Sequence, residues 1–123
     1  MKIPFLSLSY QNQIIEADIK IAFENVFHIS FYILGKEVEK FEKNYSIFNK
    51  IKHCIGVGNG LDALVISLRA LGIGEGDEVI VPSNTYVASL LAVSAVGAIP
   101  VIVEPRIDTY NINPNFIEEK IFY

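Results

Sequence analysis

Two short stretches carry residue types that could do chemistry. In the first, Gly56-Val57-Gly58-Asn59-Gly60-Leu61-Asp62-Ala63-Leu64, three glycines stand at alternate positions before a helical pattern begins. Bare backbone where a strand gives way to a helix lets main-chain N–H groups approach an anion, and the helix dipole favours negative charge there. Gly58 and Gly60 would permit the close approach, with the amides of Gly60 and Leu61 aimed at the anion. Asp62, in the first helical turn, suits the dipole and is placed to cap free amides or to meet a cationic part of a ligand. The same spacing also serves a tight strand-to-helix turn that binds nothing, and that reading stays open. The second stretch, Pro82-Ser83-Asn84-Thr85-Tyr86-Val87-Ala88, follows an apolar strand pattern and so falls on the same edge of a parallel sheet. There Tyr86 could stack on a flat ring, or it could start a helix and pack on the core.

Other chemistries find less support. A nucleotide P-loop would need Gly-Lys-Ser/Thr after the glycines, and none follows. Gly58 to Ala63 fits the permissive form of a dinucleotide fingerprint, and Glu78 stands about 20 residues on, as that motif asks. The acid should lie at the far end of the second strand, however, and Glu78 lies at the near end of its own. His53 and Cys54 are adjacent on an expected strand and would point to opposite faces, which spoils a nucleophile pair. His28 lacks a second ligand-spaced His or Cys, and no Gly-x-Ser-x-Gly elbow is present. Cys54, Tyr10, Tyr32 and Tyr110 read as packing residues.

The elements that must position these residues follow from periodicity. Residues 12–27 place Ile15, Ile19, Ala22, Phe23 and Val26 on one helical face. A second helix follows Gly35, with Val38, Phe41, Tyr45 and Phe48 on one face and Lys and Glu on the other. The period then shortens: residues 53–58 read as a strand, residues 61–71 as a helix closed by Gly72, and residues 79–82 as a buried strand. A helix over 85–96, a second buried strand over 99–105 and a short helix capped by Asn113 with Pro114 at its first position complete the order. Strands that are apolar throughout and alternate with helices predict an α/β fold with a mainly parallel sheet covered on both faces.

Composition sets the remaining bounds. The 123 residues suit a single domain, 51% hydrophobic and 20% charged, with a net charge of -4. Lysines and glutamates alternate over 36–52 without a basic stripe, so nucleic acid is not an expected partner. One cysteine and no apolar leader predict a cytoplasmic protein without disulfides. The uncharged run 79–103 is long enough to cross a bilayer, at about 20 residues per span, but Pro82, Ser83, Asn84, Gly97 and Pro100 interrupt it. It reads as strand, helix and strand, with no membrane partner.

Taken in order, the segments YILGKEVEKFE, GVGNGLDALVISLRALGIGEGDEVIVPSNTYVASLLAVSAVGAIPVIVEP and TYNINP resemble the start of the DegT/DnrJ/EryC1/StrS aminotransferases, over nearly the whole chain. The resemblance implies the N-terminal part of the large domain of a fold type I transferase, an α/β/α sandwich, cut short. Its division would be an arm and helices over 1–50 and a β-α-β-α-β portion over 51–123. The cofactor implied is pyridoxal 5'-phosphate, with Gly60 and Leu61 receiving its phosphate, Asp62 in the same turn, and Tyr86 stacking on its ring. Where many members have Gly-Thr, this chain has Gly60-Leu61, so a hydroxyl contact is missing while the amide remains. The implied activity is amination of a nucleotide-linked keto-deoxysugar in amino-sugar biosynthesis, for surface polysaccharide or glycosylation. Glutamate is the expected donor and a homodimer the expected assembly, with dTDP-linked 3-keto-6-deoxyhexoses the nearest substrate class.

Transamination also needs a lysine to hold the cofactor and an acid beside its ring nitrogen. No lysine here follows a strand at the cofactor edge, so none is given a catalytic role. The chain is expected to be the front third of a larger enzyme, inactive and poorly folded alone. The alternatives are a non-catalytic remnant or dimerisation module and, behind that, a dinucleotide-binding domain.

Overall fold

The computed structural model describes residues 3–121, divided after Gly56 into two compact units. The first unit holds α1 (Ser9–Ile29) and α2 (Lys36–Asn49). In α1 the four-residue spacing brings Phe23 and Phe27 into a stack with ring centroids 6.0 Å apart. The same spacing ties Lys20 Nζ to Glu16 Oε1 at 2.6 Å. In α2, Glu37 and Glu39 occupy the first turn, where the dipole favours them, and Phe41 stacks on Tyr45 at 5.4 Å. Each helix ends on a left-handed residue that is not glycine: Ser30 at φ 53° and Lys50 at φ 54°. Neither helix buries a residue.

The strand expected over residues 53–58 does not form; the backbone there is irregular. A strand needs a ladder partner, and none is present among the described residues. Instead the Gly56 N–H donates to Glu42 Oε1 of α2 at 2.7 Å, and Cys54 is half-buried.

The second unit contains α3 (Gly60–Ala70), β1 (Glu78–Pro82), α4 (Ala88–Ala95) and β2 (Ile99–Val103). β1 and β2 pair in parallel, from Glu78 opposite Ile99 to Pro82 opposite Val103. A parallel pair needs a crossover, and α4 supplies it. α4 packs on the strands, α3 packs on α4, and Val81, Val93 and Ala98 form the buried cluster, with Leu68, Ile73, Val79, Leu90 and Val96 against it. The parallel α/β arrangement is as expected, but the described sheet has two strands, and Ile99 and Ile102 of β2 remain half exposed instead of covered on both faces. The helix expected after Asn113 is realised as two 3-10 turns, Pro114–Phe116 and Glu118–Lys120. Asn113 does cap the first, its Oδ1 accepting from Asn115 N–H at 3.1 Å. No helix among the described residues is long and apolar enough to cross a membrane.

Both helices of this unit end in the same way. After α3, Gly72 sits at φ 77°; its N–H donates to Arg69 O at 3.0 Å and that of Ile73 to Leu68 O at 3.0 Å. After α4, Gly97 sits at φ 85°, with Gly97 N–H on Ser94 O at 3.0 Å and Ala98 N–H on Val93 O at 3.2 Å. These are paired six-to-one and five-to-two closures, which require a left-handed residue. Gly72→Ala is therefore expected to lower unfolding free energy by about 1 kcal/mol, the cost of a Cβ in that region. Lys50→Gly, which relieves the same strain, is expected to raise it by a similar amount. Urea denaturation of the two variants against the parent chain checks both signs.

Candidate functional site

A hollow of about 480 Å³ opens between the starts of α3 and α4, lined by Asn59, Gly60, Leu61 and Leu64 on one side and Tyr86, Val87, Ala88, Ser89 and Leu91 on the other. Its size lies within the ordinary range for small-molecule sites, about 300–1,000 Å³. A larger hollow of about 550 Å³ lies in the first unit at the turn from α1 to α2, walled by Val26, Ile29, Phe31, Tyr32 and Leu34.

The α3 side is set by Asn59. Its backbone is extended, at φ -164°, and its Oδ1 accepts from the Asp62 N–H at 2.9 Å. Its Nδ2 donates to Asp62 Oδ2 at 3.0 Å, so the two side chains brace one another. This is a variant of the capping box, in which the N3 carboxylate meets the cap's side chain instead of its N–H. The Ala63 N–H donates to Asn59 O at 3.1 Å. Of the four N–H groups that a helix start leaves without partners, those of Gly60 and Leu61 find no acceptor among the described residues. They are what the start of α3 can offer to an anion.

The glycines of the turn differ. A Cβ built on Gly60 would meet nothing within 4 Å, so space stands open beside the free amides. A Cβ on Gly58 would come within 2.8 Å of Asp62 Oδ2. The room beside Gly58 is thus taken by the bracing carboxylate. The Asp62 side chain is not among the groups lining the hollow.

On the α4 side, Tyr86 is 80% exposed, which excludes packing in the core. The Thr85 N–H donates to Pro82 O at 3.2 Å and the Ser89 N–H to Tyr86 O at 3.0 Å. The hydroxyls of Thr85 and Ser89 are bonded at 2.8 Å. The arrangement can receive a flat ring against Tyr86 and an anionic group on the amides of Gly60 and Leu61. Gly60, Leu61 and Tyr86, expected at one site, all line this hollow. Asn59 and Ser89 were not singled out by sequence; an Asn three residues before an acid is the signal that marks the first, and nothing marks the second. Among the other tyrosines, Tyr10, Tyr32 and Tyr110 are exposed and do not pack. No lysine lines the hollow among the described residues.

Beyond β2, Arg106 holds both oxygens of Asp108, Nε on Oδ1 at 3.0 Å and Nη2 on Oδ2 at 2.7 Å. That guanidinium lowers the Asp108 carboxyl below its ordinary range. Since the folded value is the lower one, the pair's contribution is present above the ordinary carboxylate range and is lost as pH falls through the lowered value.

Known proteins resemble this chain over nearly its whole length. The model of the DegT/DnrJ/EryC1/StrS aminotransferase family matches residues 13–122. The dTDP-3-amino-3,6-dideoxy-alpha-D-galactopyranose transaminase of Aneurinibacillus thermoaerophilus is 56% identical over 119 residues, covering 97% of this chain and 33% of that protein. Among solved structures, Streptomyces venezuelae DesV superposes with a TM-score of 0.92 at 45% identity, over 98% of this chain and 33% of its own. NtdA from Bacillus subtilis, with bound cofactor PMP, superposes at 0.90 with 36% identity, over 98% and 28%. The chain spans about a third of the length of the relatives it matches.

Asn59→Ala is expected to cost about 1 kcal/mol of stability, as loss of an N-cap does, while Asn59→Gly costs a few tenths. Urea unfolding gives the totals, and faster amide exchange at Asp62 locates the loss at the start of α3.

Proposed function

Because the chain belongs to the DegT/DnrJ/EryC1/StrS aminotransferase family, we propose that it carries the phosphate-binding turn and the ring-stacking tyrosine of a pyridoxal 5'-phosphate-dependent transaminase. The proposed substrate is a nucleotide-linked keto-deoxysugar, a dTDP-linked 3-keto-6-deoxyhexose in the first instance. The amino donor is glutamate and the assembly a homodimer. The observation that carries the reading is the pairing, in one hollow, of two amides without acceptors and an exposed aromatic ring.

The residues present fit the cofactor. Phosphate is bound where helix N–H groups are free and the dipole is positive, and the open space beside Gly60 admits an oxygen to within hydrogen-bond reach. Leu61 contributes its amide, and Asp62, tied to Asn59, holds the turn in shape. Tyr86 would stack on the ring, a contact that adds about 0.5–1.5 kcal/mol beyond burial. Leu64, Val87 and Leu91 add apolar lining to the hollow while staying about half exposed themselves. When bound, the cofactor supplies an electron sink for moving an amino group between donor and ketone. This chain's own part is to bind and orient it; the covalent anchor and the acid beside the ring nitrogen are not assigned to any of its residues.

Pyridoxal 5'-phosphate titrated into a complete enzyme that carries this segment tests the reading. Tyr86→Ala is expected to weaken binding about fivefold, the equivalent of about 1 kcal/mol. Gly60→Ala places a methyl group where the phosphate should sit and is expected to weaken binding by about tenfold or more, while stability holds or rises, since alanine is the better helix former. Unchanged affinity in both variants would sink the proposal.

A further inference from the structure

We propose that Glu104 and the Tyr110 carbonyl are positioning groups, holding residues 83–87 so that the Tyr86 ring stands over the hollow. The inference rests on the reading of Tyr86 as the ring-stacking residue. Tyr86 is 80% exposed, so packing does not hold its ring and its direction is left to the backbone that carries it.

That backbone is clamped from the segment that follows β2. The Ser83 N–H donates to Val103 O at 2.9 Å, carrying the parallel ladder one step past the end of β1. The Ser83 hydroxyl then donates to Glu104 Oε2 at 3.0 Å. Asn84 Nδ2 donates to Tyr110 O at 2.9 Å, a bond between residues 26 apart in the chain. The acceptors are themselves fixed. Glu104 O accepts from Asn113 N–H at 3.2 Å, Pro105 and Ile112 form an antiparallel bridge, and Arg106 N–H donates to Asn111 O at 2.8 Å. Tyr110 takes the left-handed conformation, φ 57°, with its N–H on Arg106 O at 2.8 Å. A non-glycine residue in that region marks a conformation held by its surroundings. Two consecutive side chains, Ser83 and Asn84, thus tie the tyrosine loop to one rigid excursion after β2.

The test combines ring NMR with cofactor titration on a complete enzyme that carries this segment. With ¹³C-labelled tyrosine, and Tyr86→Phe to assign the signal, Glu104→Ala is expected to shift and broaden the Tyr86 ring resonance. Glu104→Gln, whose amide oxygen still accepts from Ser83, should restore it, and Asn84→Ala should behave like Glu104→Ala. With pyridoxal 5'-phosphate as the probe, Glu104→Ala should weaken binding about three- to fivefold, the range of a single lost hydrogen bond. It should add nothing once Tyr86 is alanine. A Tyr86 resonance unmoved by Glu104→Ala overturns the inference, as does an equal loss of affinity in the Tyr86→Ala background. If Tyr86→Ala leaves affinity unchanged while Glu104→Ala still moves the ring signal, the cofactor reading fails and the positioning role stands.

Discussion

The packing of α3 on α4 is the constraint on which the second unit depends. The starts of both helices line one hollow, so the two run side by side with their N-termini at the same edge. α4 is at once the crossover of the parallel pair and the floor on which α3 rests, and it buries Ala92 and Val93 almost completely. The two glycine turns make this possible. Each delivers the residue before and the residue after its helix end into one cluster: Leu68 and Ile73 from the turn at Gly72, Val93 and Ala98 from that at Gly97. A hydrophobic pair across such a turn commonly accompanies it. Here two of these pairs meet, and together with Val81 they make up much of the core.

Periodicity and punctuation made most of this legible. The helices announced themselves by apolar residues at three and four spacings; Gly72 marked the turn two residues beyond Ala70 that closes α3, and Asn113 marked a cap, though of a 3-10 turn. Strands β1 and β2 were visible as short apolar runs between turn residues. The failure over residues 53–58 has a physical cause. Sequence pattern reports which side chains favour a pleated, half-buried surface, but a strand is a partnership of backbones, and the partner is not encoded in the strand itself. The Gly56 amide satisfies itself on a glutamate of α2 instead.

The site was legible to the extent that it is local. Gly60 and Leu61 follow from the order strand-like run, glycines, helix, and Tyr86 from its place at the exit of β1. Asp62 was recognised as an acid in a first turn, yet its partnership with Asn59, and the dependence of Gly58 on that carboxylate, emerge only in three dimensions. The ties from Ser83 to Glu104 and from Asn84 to Tyr110 span 21 and 26 residues. No local pattern could pair them, since side-chain bonds of that separation are set by the sheet register that brings Pro82 opposite Val103.

The leucine at position 61 bears on how such a site would work. In the proposed role, Leu61 offers the phosphate its main-chain amide and no hydroxyl, so the start of α3 acts through amides and the helix dipole. Backbone amides are fixed by the helix they begin, so nothing need be ordered when the anion arrives. Leu61 also adds apolar surface beside the half-exposed Leu64, Val87 and Leu91. The demand on geometry rises accordingly. With fewer donors, the orientation of the ring depends more on Tyr86, and the loop that carries it is the part of the hollow most heavily tied to the rest of the unit.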